Sequence, residues 1–363
     1  MAGACCLLPE TIGGRYNIYL WSQPLHVLDK VRNVLCSEPC HIQESLDNSV
    51  VKLIGVDIAN VIETISNALS LLEQAALKIL LFEGDSPSVT AFGSVMSFDQ
   101  LLRSLEGQWV VGLLREGRYK SVIQPIVSAA DPRRIYAYEF LLRGLDQDGK
   151  IIAPVDLFKA AAHHNILPTL DHVARHSAVT TAAQLGIAEK LFINFTPAAI
   201  FDPAICMQST LEAITAHGFQ PENVVFEIVE SEVVADMPHL CRIVEYCRAE
   251  GFKLALDDFG AGFNNLGTYL DLKPDYIKID RQLTDRMIGD SHRREMVGGF
   301  IASAQRDGTK IIAEGIEDAA AADILTDMGV DYLQGYYFGR PADRPMPILL
   351  PEKTVAKTGG QLV

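Results

Sequence analysis

The chain has 363 residues, 48% of them apolar, and a formal net charge of −15. That length allows one large domain and a smaller one. The acidic balance excludes a general binder of DNA or RNA duplexes, which needs a basic face.

No apolar run approaches the ~20 residues that span a bilayer. The opening MAGACCLLPETIGG has no basic segment ahead of a long apolar stretch, so it does not read as a signal peptide. Seven cysteines without regular spacing suit a reducing compartment better than a disulfide framework. The expectation is a cytoplasmic protein with no membrane insertion.

From the N-terminus, RYNIYLW, PLHVLDKVRNVLC, CHIQESL, SVVKLIGV, ANVIETISNALSLLEQAAL and KILLFEG read as β-α-β-β-α-β. This order predicts a smaller α+β domain, ferredoxin-like, over residues 1–96, with a regulatory role. The bridge SPSVTAFGS reads as a loop, and residues 97–114 as a connecting helix that could transmit rotation between subunits.

From 115 to 345, short β-rich runs alternate with amphipathic stretches, the signature of repeated β/α units. The runs are SVIQPIVSA, IYAYEFLLR, KLFINFT, NVVFEIVE, KLALDDFG, YIKIDR, KIIAEGIE and YLQGYYFGR. Helix-like stretches between them include Val155–His176, Asp202–His217, Met237–Glu250, Ser291–Asp307 and Asp318–Met328. The first two runs are joined only by AADPRR, too short for a helical crossover, so they predict an antiparallel hairpin. The fold class is therefore α/β, a modified TIM (β/α)8 barrel with an antiparallel first strand. Beyond Pro341 come three prolines and a Gly-Gly pair, so residues 346–363 read as an irregular tail.

Acids recur at the strand ends. Glu139 ends the second run and Asn194, a neutral oxygen donor, the third. Glu227 lies in the fourth, Asp257 and Asp258 end the fifth, Lys278 and Asp280 share a face of the sixth, and Glu314 ends the seventh. In such barrels the C-terminal strand ends form the active-site face. Phe192 and Ile312 keep the layer beneath apolar. One acid alone is as readily a solvated strand end; the whole set is not, because strand interiors exclude acids. Converging carboxylates repel and lose hydration, and divalent cations resolve the conflict. Oxygen-only ligands favour Mg²⁺ or Mn²⁺ over Zn²⁺. Adjacent Asp257 and Asp258 suggest two ions, an arrangement that cleaves phosphate esters.

These segments resemble the EAL family of cyclic-di-GMP phosphodiesterases over about Ser121–Pro341. The signature strand stands here as YEFLLR, with Glu139-Phe140-Leu141 in place of Glu-Ala-Leu. QPIV, INFT, FEIVE, DDFGAGFNNL, PDYIKID, AEGIE and QGYYFGRP match in order, which is far more specific than one tripeptide. The resemblance implies that Glu139, Asn194, Glu227 and Asp257 hold one metal, and Asp257, Asp258 and Glu314 the other. It implies that Lys278 positions the attacking water, and that Glu317 and Gln334 order the waters around the ions. Gln124 and Arg143 would contact the dinucleotide, Arg143 through its planar fork of donors. Glu230 and the loop holding Phe259, Gly260 and Gly262 would support metal-site order and a homodimer through the barrel.

The implied activity is hydrolysis of cyclic di-GMP to linear pGpG. The competing reading is a catalytically inactive receptor that binds the dinucleotide and signals to a partner. Degenerate relatives lose metal ligands, whereas every one is present here, which favours the enzyme.

Phe140 replaces the family's Ala, and alternation points it away from the metals. Asn264-Asn265 replace a serine pair, and His163-His164 stand where the family has Glu; both histidines read as solvated or helix-capping. Cys36, Cys40 and His41 lack a second pair at zinc spacing. The GxG of DFGAGF lacks the third glycine of a dinucleotide fingerprint.

Overall fold

The structure, a computed structural model, describes Leu8 and residues 11–36, 41–44, 49–229, 236–260 and 265–350. Cys40, Glu230, Gly262 and Asn264, named above, lie outside the described residues. The chain divides into two compact units, Leu8–Arg118 with Asp146–Leu167, and Tyr119–Leu145 with Pro168–Val363.

In the first unit, five strands form an antiparallel sheet: β1 (Arg15–Trp21), β2 (His41–Glu44), β3 (Val50–Asp57), β4 (Lys78–Phe82) and β5 (Met96–Ser97). Their order is β2-β3-β1-β4-β5, and the first four strands have the split order of a βαββαβ sandwich. Val27, Leu28, Val31 and Leu35 recur at helical spacing and are buried, so the helix Leu25–Leu35 presents one apolar stripe to the sheet. Ile18 and Leu20, alternating along β1, meet that core. The second helix is two pieces, Ile58–Ala68 and Leu71–Ala76. Ser70 and Glu73 form a capping box that starts the second piece.

The stretch read as one connecting helix is also two, Phe98–Gly107 and Trp109–Arg115. Phe98 and Leu101 are buried in the core of the N-terminal sheet, so this stretch packs as part of its unit. Gly107 approaches the helix Pro154–His163 so closely that a Cβ would lie 2.3 Å from the Ala160 carbonyl oxygen. Only glycine fits there. A two-residue strand, β8 (Ile151–Ile152), precedes that helix.

The second unit is the barrel. Its strands are β6 (Tyr119–Ser128), β7 (Ile135–Leu145), β9 (Lys190–Asn194), β10 (Val224–Val229), β11 (Lys253–Phe259), β12 (Tyr276–Ile279), β13 (Lys310–Ala313) and β14 (Tyr332–Gln334). They run in the order β6-β14-β13-β12-β11-β10-β9-β7, and β6 pairs with β7 to close the ring. Only β6 is antiparallel to its neighbours, as its short connection to β7 demands. All eight predicted strands are present. Two predicted helices are each divided: Pro154–His163 from Leu167–Leu185, and Pro203–Cys206 from Gln208–Ala216. The first break falls at Asn165, which takes a left-handed φ of 56°.

Outward strand residues and the surrounding helices share one large apolar cluster that includes Phe140, Ile193 and Phe226. Each fully buried side chain of this size contributes about 1.5–3 kcal/mol. Phe140 thus packs outside the ring, as alternation predicts. Inside the ring, Ile126, Ala137, Phe192, Val225, Ala255, Tyr276 and Ile312 form a separate plug. Tyr136 and Tyr276 share a hydroxyl hydrogen bond of 2.6 Å, and Tyr136 stacks on Tyr332 at 3.8 Å. This plug is the floor on which the site stands. Beyond the last strand, Ala342 bridges to Ile123, and Ile348 and Leu350 pack on the outer cluster.

Candidate active site

Side chains on one face of a strand recur at every second residue. Two residues beyond the plug residues Ala137, Phe192, Val225, Ala255, Tyr276 and Ile312 come Glu139, Asn194, Glu227, Asp257, Lys278 and Glu314. On β14 the same step leads from Tyr332 to Gln334. On antiparallel β6 it runs backward, from Ile126 to Gln124. The barrel therefore stacks a polar tier directly on an apolar one.

Asp258 breaks this rule, and the backbone shows how. Adjacent strand residues normally point to opposite faces. Here β11 slips its register against β12 between Leu256 and Phe259, and Asp258 takes φ 57°. That bulge turns both side chains to the same pocket, at a conformational cost of order 1–3 kcal/mol. The Asp258 N–H donates to Asp257 Oδ1 at 3.0 Å. Carboxylate oxygens of Asp257, Asp258 and Glu314 lie within 4.8 Å of one another, as do those of Glu139, Glu227 and Asp257. Asp257 belongs to both groups.

Lys278 sits among them, almost wholly buried. Its Nζ is 2.7 Å from Glu314, 2.8 Å from Glu227, 3.1 Å from Asp257 and 3.5 Å from Glu139. Asn194 Nδ2 donates to Glu139 at 3.1 Å and to Glu227 at 3.2 Å. Gln334 Nε2 donates to Glu139 at 2.6 Å.

The titration of these groups follows from burial and crowding. Burial, then the charges of Glu139 and Asp257, push Glu227 well above the usual carboxylate range despite Lys278. Burial pushes Glu314 up to about 8, with Asp257 and Glu139 adding to it. Asp258 is raised to about 6 by burial and then by Asp257. Burial also acts on Glu139, but Lys278 and the amides of Gln334 and Asn194 outweigh it and hold that carboxyl low. For Lys278, burial is outweighed by its four acidic neighbours, and the ammonium is held well above its usual value.

One ammonium among five carboxylates leaves the pocket short of positive charge. In addition, Gln334 Oε1 is buried and accepts no hydrogen bond. Both features fit hard divalent cations with their waters, and the donor set is entirely oxygen.

The other predicted residues take different positions. Gln124 is buried and donates to the Gly339 carbonyl at 3.1 Å. Arg143, half-buried, donates to Leu142 O at 2.9 Å. Glu317 stands outside the carboxylate cage, paired with Arg281 at 2.8 Å. Phe259 is buried and stacks on Phe300, ring centroids 4.7 Å apart. Gly260 has φ 104°, and a Cβ there would strike Leu283 at 2.4 Å. His164 is buried, its Nδ1 2.8 Å from Ser104 Oγ.

Two residues that sequence reasoning passed over also border the site. Arg281 and Tyr336 line a cavity of about 210 Å³ together with Gln124, Glu139, Glu314 and Gln334. Their signal was adjacency: Arg281 directly follows the Lys278–Asp280 run, and Tyr336 comes two residues after Gln334. A larger cavity of about 440 Å³, lined by Arg248, Lys273, Asp275 and Asp307, lies where chain segments enter the strands, opposite the carboxylates. Among the described residues no helix is long and apolar enough to cross a membrane.

The EAL domain family model matches residues 108–341. A protein of Azorhizobium caulinodans is 29% identical over 244 residues, covering 65% of this chain and 33% of its own. A probable cyclic di-GMP phosphodiesterase of Escherichia coli, PdeG, is 27% identical over 233 residues, covering 63% of this chain and 45% of its own. The chain thus spans less than half the length of either relative. The solved structure of a standalone EAL protein from Vibrio cholerae O395, bound to c-di-GMP, superposes with a TM-score of 0.57 at 32% identity. It covers 64% of this chain and 95% of that one. With the family's ordered motifs carried on the inward tier of a closed barrel, the chain belongs to the EAL domain family.

Proposed function

We propose that the chain hydrolyses cyclic di-GMP to linear pGpG with two divalent cations, Mg²⁺ or Mn²⁺. The observation that carries this reading is the pair of overlapping carboxylate groups that share Asp257. Glu139, Asn194, Glu227 and Asp257 would hold one ion; Asp257, Asp258 and Glu314 would hold the other. When bound, paired ions activate water and stabilise the leaving oxygen of a phosphodiester.

The chain's own groups supply the rest. Lys278 Nζ, 2.7 Å from Glu314, would orient the attacking water and offset charge that develops on the phosphoryl oxygens. Gln334 fixes Glu139 through its amide, which leaves its buried carbonyl oxygen to accept from an ordered water. Glu317, drawn toward Arg281, would order water at the outer edge. Gln124 lines the cavity and Arg143 lies near enough to Glu139 to feel its charge; together they would hold the ring and the phosphate of the dinucleotide.

A homodimer through the barrel is part of the proposal. Leu266, Leu270 and Met296 are exposed on the helices Asn265–Leu272 and Ser291–Arg306, which supports an apolar face there. Phe300 on the second helix stacks on Phe259, one residue after Asp258, so such a face would bear on the metal tier.

The test is product analysis. Purified chain with cyclic di-GMP and Mg²⁺ or Mn²⁺ should release pGpG. Tight binding without turnover in either ion would leave the receptor reading in its place.

A further inference from the structure

We infer that His172 and His176 form a binding site for one transition-metal dication of the zinc, copper or nickel kind, separate from the carboxylate tier. The inference does not depend on the cyclic di-GMP reading above.

The run His172-Val173-Ala174-Arg175-His176 lies inside the helix Leu167–Leu185. Residues four apart stand one turn above the other on the same face. Two histidines at that spacing are a pair with which helices grip zinc. In zinc hydrolases a general-base Glu follows the first histidine; here that position is Val173. The pair therefore binds and does not form a second catalytic centre.

The two ring centroids are 4.2 Å apart, with planes inclined by 45°. Both rings border a cavity of about 440 Å³, whose walls include Tyr119, Ser177, Thr180 and Gln184. An ion and its waters have room beside them. His176 Nε2 is buried and makes no hydrogen bond. A pair kept for packing alone would be better served by apolar rings, which leave no buried nitrogen unpaired. On the helix Gln208–Ala216, Ser209 Oγ lies 3.3 Å from His172 Nδ1. Such an outer hydrogen bond fixes the tautomer of a ligating histidine and leaves Nε2 for the ion.

The surrounding charges allow a cation. Arg175 is drawn to Asp171 at 2.8 Å, and Lys120, which also lines the cavity, is 2.6 Å from Asp343. The negative charge of Glu212 acts on His176. Burial, then the neighbouring His176 and Arg175, favours the neutral form of His172, and burial does the same for His176. Neutral imidazole is the form that ligates, and it selects zinc, copper or nickel over magnesium. The ion would brace the helix turn whose Asp171 accepts from the Thr196 N–H, two residues past Asn194.

The test adds one equivalent of Cu²⁺ to the full chain, with accessible thiols alkylated and Mg²⁺ in excess to occupy the oxygen-only tier. Electron paramagnetic resonance then reads the donor atoms, and a titration reads affinity. Wild type should hold one tight ion coupled to two imidazole nitrogens. His172→Gln and His176→Gln should each weaken binding at least ~10-fold, since even the loss of an outer partner costs that much. The double variant, its fold checked by circular dichroism, should lose the two-nitrogen signal. That signal at unchanged affinity in the folded double variant, or oxygen-only coupling in wild type, would overturn the site. Should the double variant misfold, undiminished two-nitrogen binding in either single variant would overturn it. Cyclic di-GMP turnover, followed separately with Mg²⁺, reports on the phosphodiesterase reading and not on this site.

Discussion

Asp257 and Asp258 are sequence neighbours on a β-strand, yet both carboxylates enter the same pocket. The left-handed φ of 57° at Asp258 and the register slip beside it make this possible. Asn adopts that backbone conformation readily. Asp258→Asn should therefore keep the turn while removing one charge from a crowded site. In EDTA its melting temperature should equal or exceed that of wild type, because the burial and the Asp257 repulsion that raise Asp258 to about 6 no longer act on a charge. Its turnover should fall at least ~100-fold, beyond the range of outer-sphere changes. Calorimetry beside a rate assay checks this; a parallel loss of stability would show that the turn itself needs the carboxylate.

Lys278 is the only cation within 4 Å of Glu227, Asp257 and Glu314 among the described residues. Lys278→Met should destabilise the metal-free chain by about 3–5 kcal/mol, the usual result of leaving buried charges unpaired. Mn²⁺ should return much of that loss, since divalent ions supply the missing charge. Urea unfolding with EDTA and with Mn²⁺ measures both states. Equal losses in the two would mean that the ammonium serves packing and not charge balance.

Arg175 and Asp171 form a second buried pair, on the helix Leu167–Leu185. Arg175 Nη2 lies 2.8 Å from Asp171, which also accepts from the Thr196 N–H at 2.8 Å. Thr196 is two residues past Asn194, so the pair anchors the end of β9. Arg175→Met should cost about 3–5 kcal/mol, and the double variant Arg175→Met/Asp171→Leu should recover part of it. A double variant as unstable as the single one would contradict the charge argument.

His172, half-buried on the same helix, predicts an acid-sensitive component of stability. Burial, then His176 and Arg175, lower its pKa from 6.5 to about 4. Between those values the unfolded chain takes up a proton that the folded chain refuses. The stabilisation is therefore fully present above pH 6.5 and is lost as the pH falls toward 4. Discounted for partial exposure, it amounts to about 1 kcal/mol. His172→Gln should flatten the dependence of the urea midpoint between pH 7 and pH 5 relative to wild type; identical slopes would refute the assignment.

The barrel was legible because its strands carry an unbroken period of two. Phe192 followed by Asn194, and Ile312 followed by Glu314, announce a floor and a site from spacing alone. What stayed hidden depends on contacts between distant segments. Nothing local marks Gly107 as the point where the Ala160 carbonyl presses in, so the helix break there was missed. Asp171 and Arg175 look like an ordinary exposed i, i+4 pair until the Thr196 N–H closes over them. Glu317 shares a motif with Glu314, but the Glu314 side chain turns inward to Lys278 while Glu317, three residues on, meets Arg281. The bulge at Asp258 is likewise a property of the pairing with β12 and not of the Asp-Asp dipeptide.

The proposed function requires the tier around Asp257 to be a working two-ion phosphodiesterase site. The most direct measurement adds Mn²⁺ to metal-free chain while bound metal and pGpG release are followed in the same sample. Two ions per chain, with pGpG appearing as they bind and none produced by Glu139→Ala, is the predicted result. Cyclic di-GMP bound tightly with two ions in place and no pGpG formed would contradict it.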